Sequence, residues 1–300
     1  MNSLISADTL QEACSHCYWS DATAEWGGNM DFPGGSVVFC KIDEVMRFFE
    51  KLRLTRRRII LVTGEGDLPC DDFRQKFLPP QVERWFATNV TAQHLRVEAV
   101  PLGLGPATDS VTVDVNDFTK EAFESRERDA WLLVNFRPET NPGVRRPVFD
   151  HFRMLAAKSN WITFQEPPPP GVKSNFAQEL RRHRFVLCPP GNGVDTHRLW
   201  ESLAAGAVPI VLRSVAMEPF EDLPIVWVDR FEDVNFELLE ASWPHAHAGN
   251  LEKLYGDYWL TRLQKAAESV RSAPMLSGGH WIRESVRYAA GMVVRRLRVG

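Results

Sequence analysis

Short apolar runs alternate with helical segments along most of this chain, and that alternation is the strongest constraint on its fold. Val37–Cys40, Ile59–Val62 and Val97–Val100 read as buried strands, followed by Trp131–Phe136, Trp161–Phe164, Phe185–Cys188, Val208–Leu212 and Ile225–Val228. Helices are expected over Asp43–Leu52, Gln81–Ala87, 143–157, 174–183 and 195–205, and residues 251–300 read as helical. Strands spaced by helices of this length imply βαβ units and parallel sheets, so the fold class is α/β. The first 35 residues read as irregular, with Gly27-Gly28 and Pro33-Gly34-Gly35 as breakers. Pro101-Leu-Gly-Leu-Gly-Pro106 ends the first run, and a polar stretch, 107–129, with a charged helix candidate at Lys120–Arg128, joins it to the second. The expected division is therefore 1–125 and 126–300, with the last helix free to cross back to the first domain. Pro167–Pro170 is a stiff loop inside the second run, not a linker. Ligands in such sheets bind at the carboxyl ends of strands, or between domains.

With 300 residues, the chain can bury enough surface to need no disulfide or metal for its core. Five scattered cysteines are no disulfide framework, and point to a reducing, cytoplasmic setting. The N-terminus lacks a basic segment followed by a long apolar one, and no stretch is apolar enough to span a bilayer; a soluble protein is expected, one trimmed of an anchor remaining open. The net charge of −4 gives no overall footprint for nucleic acid.

Chemistry concentrates in Phe185–Leu212, which reads strand, Gly-rich turn, helix, tight turn, strand. In Pro189-Pro190-Gly191-Asn192-Gly193 the glycines let backbone approach a ligand. Asp195 or Thr196 can cap the helix that follows, whose free N–H groups and positive dipole end suit a pyrophosphate. Asp195, Arg198 and Glu201 recur at helical spacing; Arg198 suits phosphate, and Glu201 suits two neighbouring sugar hydroxyls. Ala204-Ala205-Gly206 fits a left-handed cap. Read without relatives, the same residues also fit a structural βαβ turn with a solvated capping network.

The segment resembles the donor-binding region of exostosin-type glycosyltransferases. Shared are a strand ending in Cys-Pro, a Gly-containing turn, Asp-Thr-x-Arg, a Glu three residues on, and Gly-x-Val-Pro leading into a strand. Pro219–Asp229 and Phe231–Val234 continue the likeness, as do Asn135–Pro142 and Trp85–Asn89, typical of a small-protein branch; it covers roughly 36–235. It implies a GT-B fold, two Rossmann-like domains facing across a cleft, and inverting transfer of a sugar from a nucleotide sugar, UDP-linked by preference. The implied acceptor is a hydroxyl on a glycan, glycoprotein or glycolipid, with no cofactor or bound metal. The donor-binding residues it implies are Asn135, Arg137, Thr140, Asn141, Arg145, Pro190, Gly191, Asn192, Gly193, Asp195, Thr196, Arg198 and Glu201. Arg145 stands where an arginine near the diphosphate is expected, with Arg146 as the alternative.

An inverting transferase needs a carboxylate to deprotonate the acceptor. Branch members resemble Thr-His-x-Ser-Asp after the second strand; here Thr63-Gly-Glu-Gly-Asp67 keeps the acid and replaces the histidine by Gly64. Asp67 is the first choice and Glu65 the second. That departure also motivates a rival: a transferase fold that has lost its base and only binds glycan or nucleotide. A dinucleotide reading of the same segment fails because Pro69 replaces the third glycine and no helix follows promptly. Cys14-Ser-His-Cys17 has metal spacing but no second pair, so a zinc would have to borrow His245, His247 or another histidine. Arg283, Arg287, Arg295, Arg296 and Arg298 crowd the last helix. Their expected place is a solvated face packed on the first domain, with peripheral contact to anionic lipid left open.

Overall fold

The computed structural model describes residues 3–18, 30, 32–105, 128–167, 175–245, 250–271, 275–279, 281–283 and 286. Pro168–Pro170, residues 120–127, His247 and the arginines Arg287, Arg295, Arg296 and Arg298 lie outside them. The chain forms two compact units: Thr9–Val100 with Trp259–Gly300, and Met1–Asp8 with Pro101–Tyr258. Each carries a parallel five-stranded sheet, the α/β, Rossmann-like make-up expected of a GT-B chain.

The 9–100 unit orders its strands as they occur in the chain. These are β1 (His16–Tyr18), β2 (Val37–Lys41), β3 (Ile59–Gly64), β4 (Val82–Ala87) and β5 (Val97–Ala99). Helix α1 (Ala7–Glu12) precedes β1, α2 (Val45–Leu52) joins β2 to β3, and α3 (Asp72–Lys76) joins β3 to β4. Helix α2 buries Val45, Phe48, Phe49 and Leu52. Phe49 meets Trp85 of β4 edge to face at 5.4 Å, and the Trp85 indole donates to Thr63 Oγ1 at 2.9 Å.

Two expectations fail here. Gln81–Ala87 is strand β4, not a helix. Val82, Trp85 and Phe86 carry helical spacing, yet both sides of the strand are filled, by β3 through Leu61↔Trp85 and by β5 through Trp85↔Val97. Burial on both faces lets aromatic and β-branched residues override local spacing. The first 35 residues are not irregular throughout, because they hold α1 and β1. A three-residue strand has no periodicity of its own; it exists by pairing His16↔Val38 and Cys17↔Phe39 with β2.

The 101–258 unit contains β6 (Ala130–Val134), α4 (Pro142–Ala156), β7 (Ile162–Phe164), α5 (Phe176–Arg182) and β8 (His183–Leu187). They are followed by α6 (His197–Ala204), β9 (Val208–Leu212), β10 (Val226–Val228) and α7 (Phe236–Ser242). Helix α8 (Gly256–Arg271) starts in this unit and places Leu263, Ala267 and Val270 in the core of the other. The strand order is β10-β9-β8-β6-β7, so the chain leaves β6 to one side and returns on the other. That reversal is a topological switch point beyond the carboxyl ends of β6 and β8, the place where open parallel sheets bind ligands. Leu132, Val134, Phe136, Phe149, Phe152, Phe185 and Ile210 fill the core beneath it.

Candidate donor site at the β6–β8 switch point

Two loops meet at this switch point, and one arginine fastens them together. Arg145, on the first turns of α4, is 7% exposed. Its Nε donates to the Pro190 carbonyl at 2.9 Å and its Nη2 to the Pro189 carbonyl at 2.9 Å. Nη1 donates to Thr140 Oγ1 at 2.6 Å and to the Arg137 carbonyl at 3.2 Å. Burial, and then the nearby Arg198 charge, lowers its pKa to about 10. Thr140 Oγ1 donates in turn to the Arg137 carbonyl at 3.0 Å, and Asn141 Nδ2 donates to the Gly191 carbonyl at 2.9 Å. Gly191 packs directly on this network, since a Cβ there would stand 3.0 Å from Arg145 Nη2. Asn135, buried after β6, donates to Gln165 Oε1 at 3.4 Å. Asn192 is exposed and Gly193 buried. Arg137, Thr140, Asn141, Arg145, Pro190 and Gly191 therefore form one continuous network. Arg146, the alternative to Arg145, points to the surface and pairs with Glu139 at 2.8 Å.

Helix α6 begins just beyond this turn. Neither candidate side chain caps it: Thr196 holds the N-cap position in extended conformation without a side-chain cap bond. The Asp195 carboxylate accepts the Thr196 N–H beside it, the Leu102 N–H at 2.7 Å and the Trp200 indole at 2.8 and 3.0 Å. Burial lifts its pKa to about 6 against these hydrogen bonds. The N-cap side chain thus offers no acceptor to the first-turn amides of α6. At the other end Gly206 takes φ of +73°, the left-handed cap expected.

Arg198 stacks its guanidinium 4.7 Å from the Phe176 ring centre, and its Nη1 is sealed from solvent with no hydrogen-bond partner. Burial lowers its pKa, with Cys188 and Glu201 pulling the other way. Glu201, one turn on, has a raised pKa from burial, opposed first by Arg198 and then by His197. An orphaned buried guanidinium N–H is costly unless an acceptor meets it, and an anion is the natural one.

Glu65 and Asp67 lie in the other unit, at the carboxyl end of β3. Glu65 adopts φ of +54° and is half-buried, while Asp67 is exposed. Positive φ at a glutamate is a strained conformation, of the kind held where a side chain must be aimed. The tightness extends to Gly66, where a Cβ would overlap the Asp43 carboxylate and come within 2.6 Å of Ile42 Cγ2. Among the described residues no group of three His, Cys, Asp or Glu side chains is arranged to hold a metal ion. No described helix is long and apolar enough to cross a membrane.

The sequence reading missed His197, Trp200 and the loop 101–105. His197 Nδ1 lies 2.8 Å from the Gly103 carbonyl. Its only sequence signal was adjacency to Asp195 inside the motif; the loop's glycines read simply as a break.

Residues 88–228 match the family model of the Exostosin GT47 domain. The match takes in just under half of the chain. A probable glycosyltransferase of Arabidopsis thaliana is 25% identical over 118 residues, 39% of this chain and 23% of that protein. A second, from the same plant, is 28% identical over 92 residues, 31% of this chain and 17% of that protein. The chain thus spans about a fifth of the length of these curated relatives. Among solved structures, a UDP-forming α,α-trehalose-phosphate synthase from Burkholderia xenovorans aligns with a TM-score of 0.48 at 11% identity, covering 79% of this chain and 75% of that one. A glycosyltransferase from Rickettsia africae aligns with a TM-score of 0.43 at 8% identity, covering 79% and 77%. The exostosin match takes in every candidate residue from Asn135 to Glu201 and leaves Glu65 and Asp67 outside it.

Proposed function

We propose that this chain is an inverting glycosyltransferase that moves a sugar from a UDP-linked donor to a hydroxyl of a glycan acceptor, free or on a protein or lipid. The observation that carries the reading is Arg198: a sealed guanidinium N–H without a partner, beside the Pro190–Gly193 turn and the uncapped start of α6. A diphosphate supplies the missing acceptor. The helix amides and dipole add to its binding, and as the bond to the sugar breaks they stabilise the charge that builds on the leaving UDP. Glu201 accepts hydrogen bonds from two neighbouring hydroxyls of the donor. Asn192 and Gly193 offer backbone and amide contacts from the turn, while Arg145, with its bonds committed to carbonyls, holds the turn in shape.

Asp67, or else Glu65, takes the proton from the acceptor hydroxyl as its oxygen attacks the anomeric carbon opposite the departing diphosphate, which inverts that centre. With Arg198 and the helix end meeting the diphosphate charge, the reading assigns no metal to the step.

A thermal-shift screen against UDP- and GDP-sugars identifies the nucleotide, because a ligand bound only by the folded state raises Tm. Arg198→Ala is expected to abolish UDP binding in a calorimetric titration; unchanged affinity removes the donor assignment. Asp67→Asn and Glu65→Gln are each expected to keep UDP affinity, and only the one that is the base loses transfer. UDP binding without hydrolysis or transfer from any donor would instead favour a glycan- or nucleotide-binding module.

A further inference from the structure

The motif at the start of α6 contains an aspartate whose carboxylate is taken up by hydrogen bonds within the protein. Asp195 is 4% exposed. Its Oδ2 accepts the Leu102 N–H at 2.7 Å, and both its oxygens accept the Trp200 indole N–H. Two residues on, His197 Nδ1 lies 2.8 Å from the carbonyl of Gly103. A carbonyl only accepts, so this nitrogen carries the proton. Neighbouring residues of the loop 101–105, through the N–H of Leu102 and the C=O of Gly103, are thereby held by the first residues of the donor helix.

The loop is also held from its other side. Leu104 N–H donates to the Ile5 carbonyl at 2.9 Å, and Ile5 N–H to the Leu254 carbonyl at 2.9 Å. Gly103 has φ of +71°, and a Cβ there would come within 2.5 Å of the Ile5 carbonyl oxygen. Gly105 lies against the His197 ring, its Cβ position 3.9 Å from Cγ. The loop is a seated part of the 101–258 unit, and the start of α6 leans on it.

We infer that Asp195 is a positioning residue: with His197 it latches loop 101–105 to the start of α6, and the latch sets the helix amides and Arg198 for the donor diphosphate. The inference rests on the donor reading given above. It differs from a direct role for Asp195 in binding the nucleotide sugar, because the same effect must then come from the loop side of the bond.

The test is a double-mutant cycle read by calorimetry with UDP as the probe. Leu102→Pro removes the N–H that Asp195 accepts and leaves Asp195 in place; Leu102→Ala keeps that N–H and serves as control. Asp195→Ala and Leu102→Pro are each expected to weaken UDP binding by about tenfold or more, the scale of a lost hydrogen bond to a charged group. The double variant is expected to be no worse than either single one, and Leu102→Ala to bind as the unmutated protein does. Each variant is first checked for a cooperative unfolding transition, and Asp195→Asn, which keeps an acceptor oxygen, is expected to recover part of the loss. A loss in Asp195→Ala with full affinity in Leu102→Pro makes Asp195 a direct ligand contact and overturns the latch. Full affinity in both, or losses that simply add, overturns it as well. Failure of the unmutated protein to bind UDP, or full UDP affinity in Arg198→Ala, brings down the donor reading itself and is told apart from these outcomes.

Discussion

The Trp200 indole donates its N–H to both oxygens of the Asp195 carboxylate, at 2.8 and 3.0 Å, inside a site that burial has pushed to a pKa of about 6. The shift is upward from an ordinary 3.8, so the folded protein holds this proton more tightly than the unfolded chain does. Between about pH 4 and pH 6 the native state therefore binds more protons, and stability falls as pH rises through that window. Above it the ionised carboxylate carries a cost of about 3 kcal/mol, from two pKa units and more at about 1.4 kcal/mol each. Asp195→Asn removes the titration. The difference in unfolding free energy, unmutated minus variant, is expected to decline from pH 4 to pH 6 and stay level above. Urea denaturation across that range checks it, and a flat difference means the carboxylate is not held at this pKa.

Arg145 is the hub of the Pro189–Gly191 turn. A lysine keeps the charge, but its compact ammonium cannot span acceptors as far apart as Pro189, Pro190, Arg137 and Thr140 in the way a planar guanidinium does. Arg145→Lys is expected to lower stability by about 2–3 kcal/mol, since it leaves buried carbonyls short of a donor. UDP affinity is expected to fall with it because the turn loses its brace. Denaturation and calorimetry on the same variant check both. A drop in affinity with unchanged stability would show Arg145 touching the ligand instead.

The Phe185–Leu212 segment is legible because its signals are local. Strand, glycine turn and helix follow one another within Phe185–Leu212, and the structure keeps that order as β8, turn, α6 and β9. What stayed hidden depends on contacts distant in sequence. The partner that takes Asp195 away from the helix cap is the Leu102 N–H, 93 residues earlier. The acceptors that occupy Arg145 come in part from Pro189 and Pro190, more than forty residues on. Strand β4 is hidden in the sequence because Val82, Trp85 and Phe86 fit a helix by spacing alone, and only the strands on either side decide otherwise. The acid after β3 was located as a segment, while the positive φ at Glu65 and the crowding at Gly66 are visible only in three dimensions.

Gly66 gives a test of that crowding. A methyl group there meets the Ile42 side chain, 1% exposed and fixed in the core, as well as the more yielding Asp43 carboxylate. Gly66→Ala is expected to cost about 1–3 kcal/mol, the range for overpacking. Adding Asp43→Ala is expected to recover only part, because Ile42 remains. Full recovery in denaturation of the double variant would show that the carboxylate alone sets the limit.

Arg128 ties two helix ends together in the 101–258 unit. It is 5% exposed, and its Nη1 donates to the carbonyls of Leu180, Arg181 and His183 at 2.8, 2.9 and 2.8 Å. Its Nη2 donates to the Ala205 carbonyl, so one guanidinium satisfies the last turn of α5 and the C-cap of α6 together. Carbonyls at helix ends have no partner within the helix, and here the side chain stands in for water. Burial lowers the pKa of the group to about 10, well above neutrality, so the charge persists at working pH. Arg128→Met fills a similar volume but leaves four acceptors without their donor. The expected loss is about 3 kcal/mol or more, as for other buried charged groups removed from their partners. Arg128→Lys, which restores a charge and up to three donors, is expected to recover part of it. Urea denaturation of the two variants checks the order, and a methionine variant as stable as the original protein would show that the helix ends find other partners.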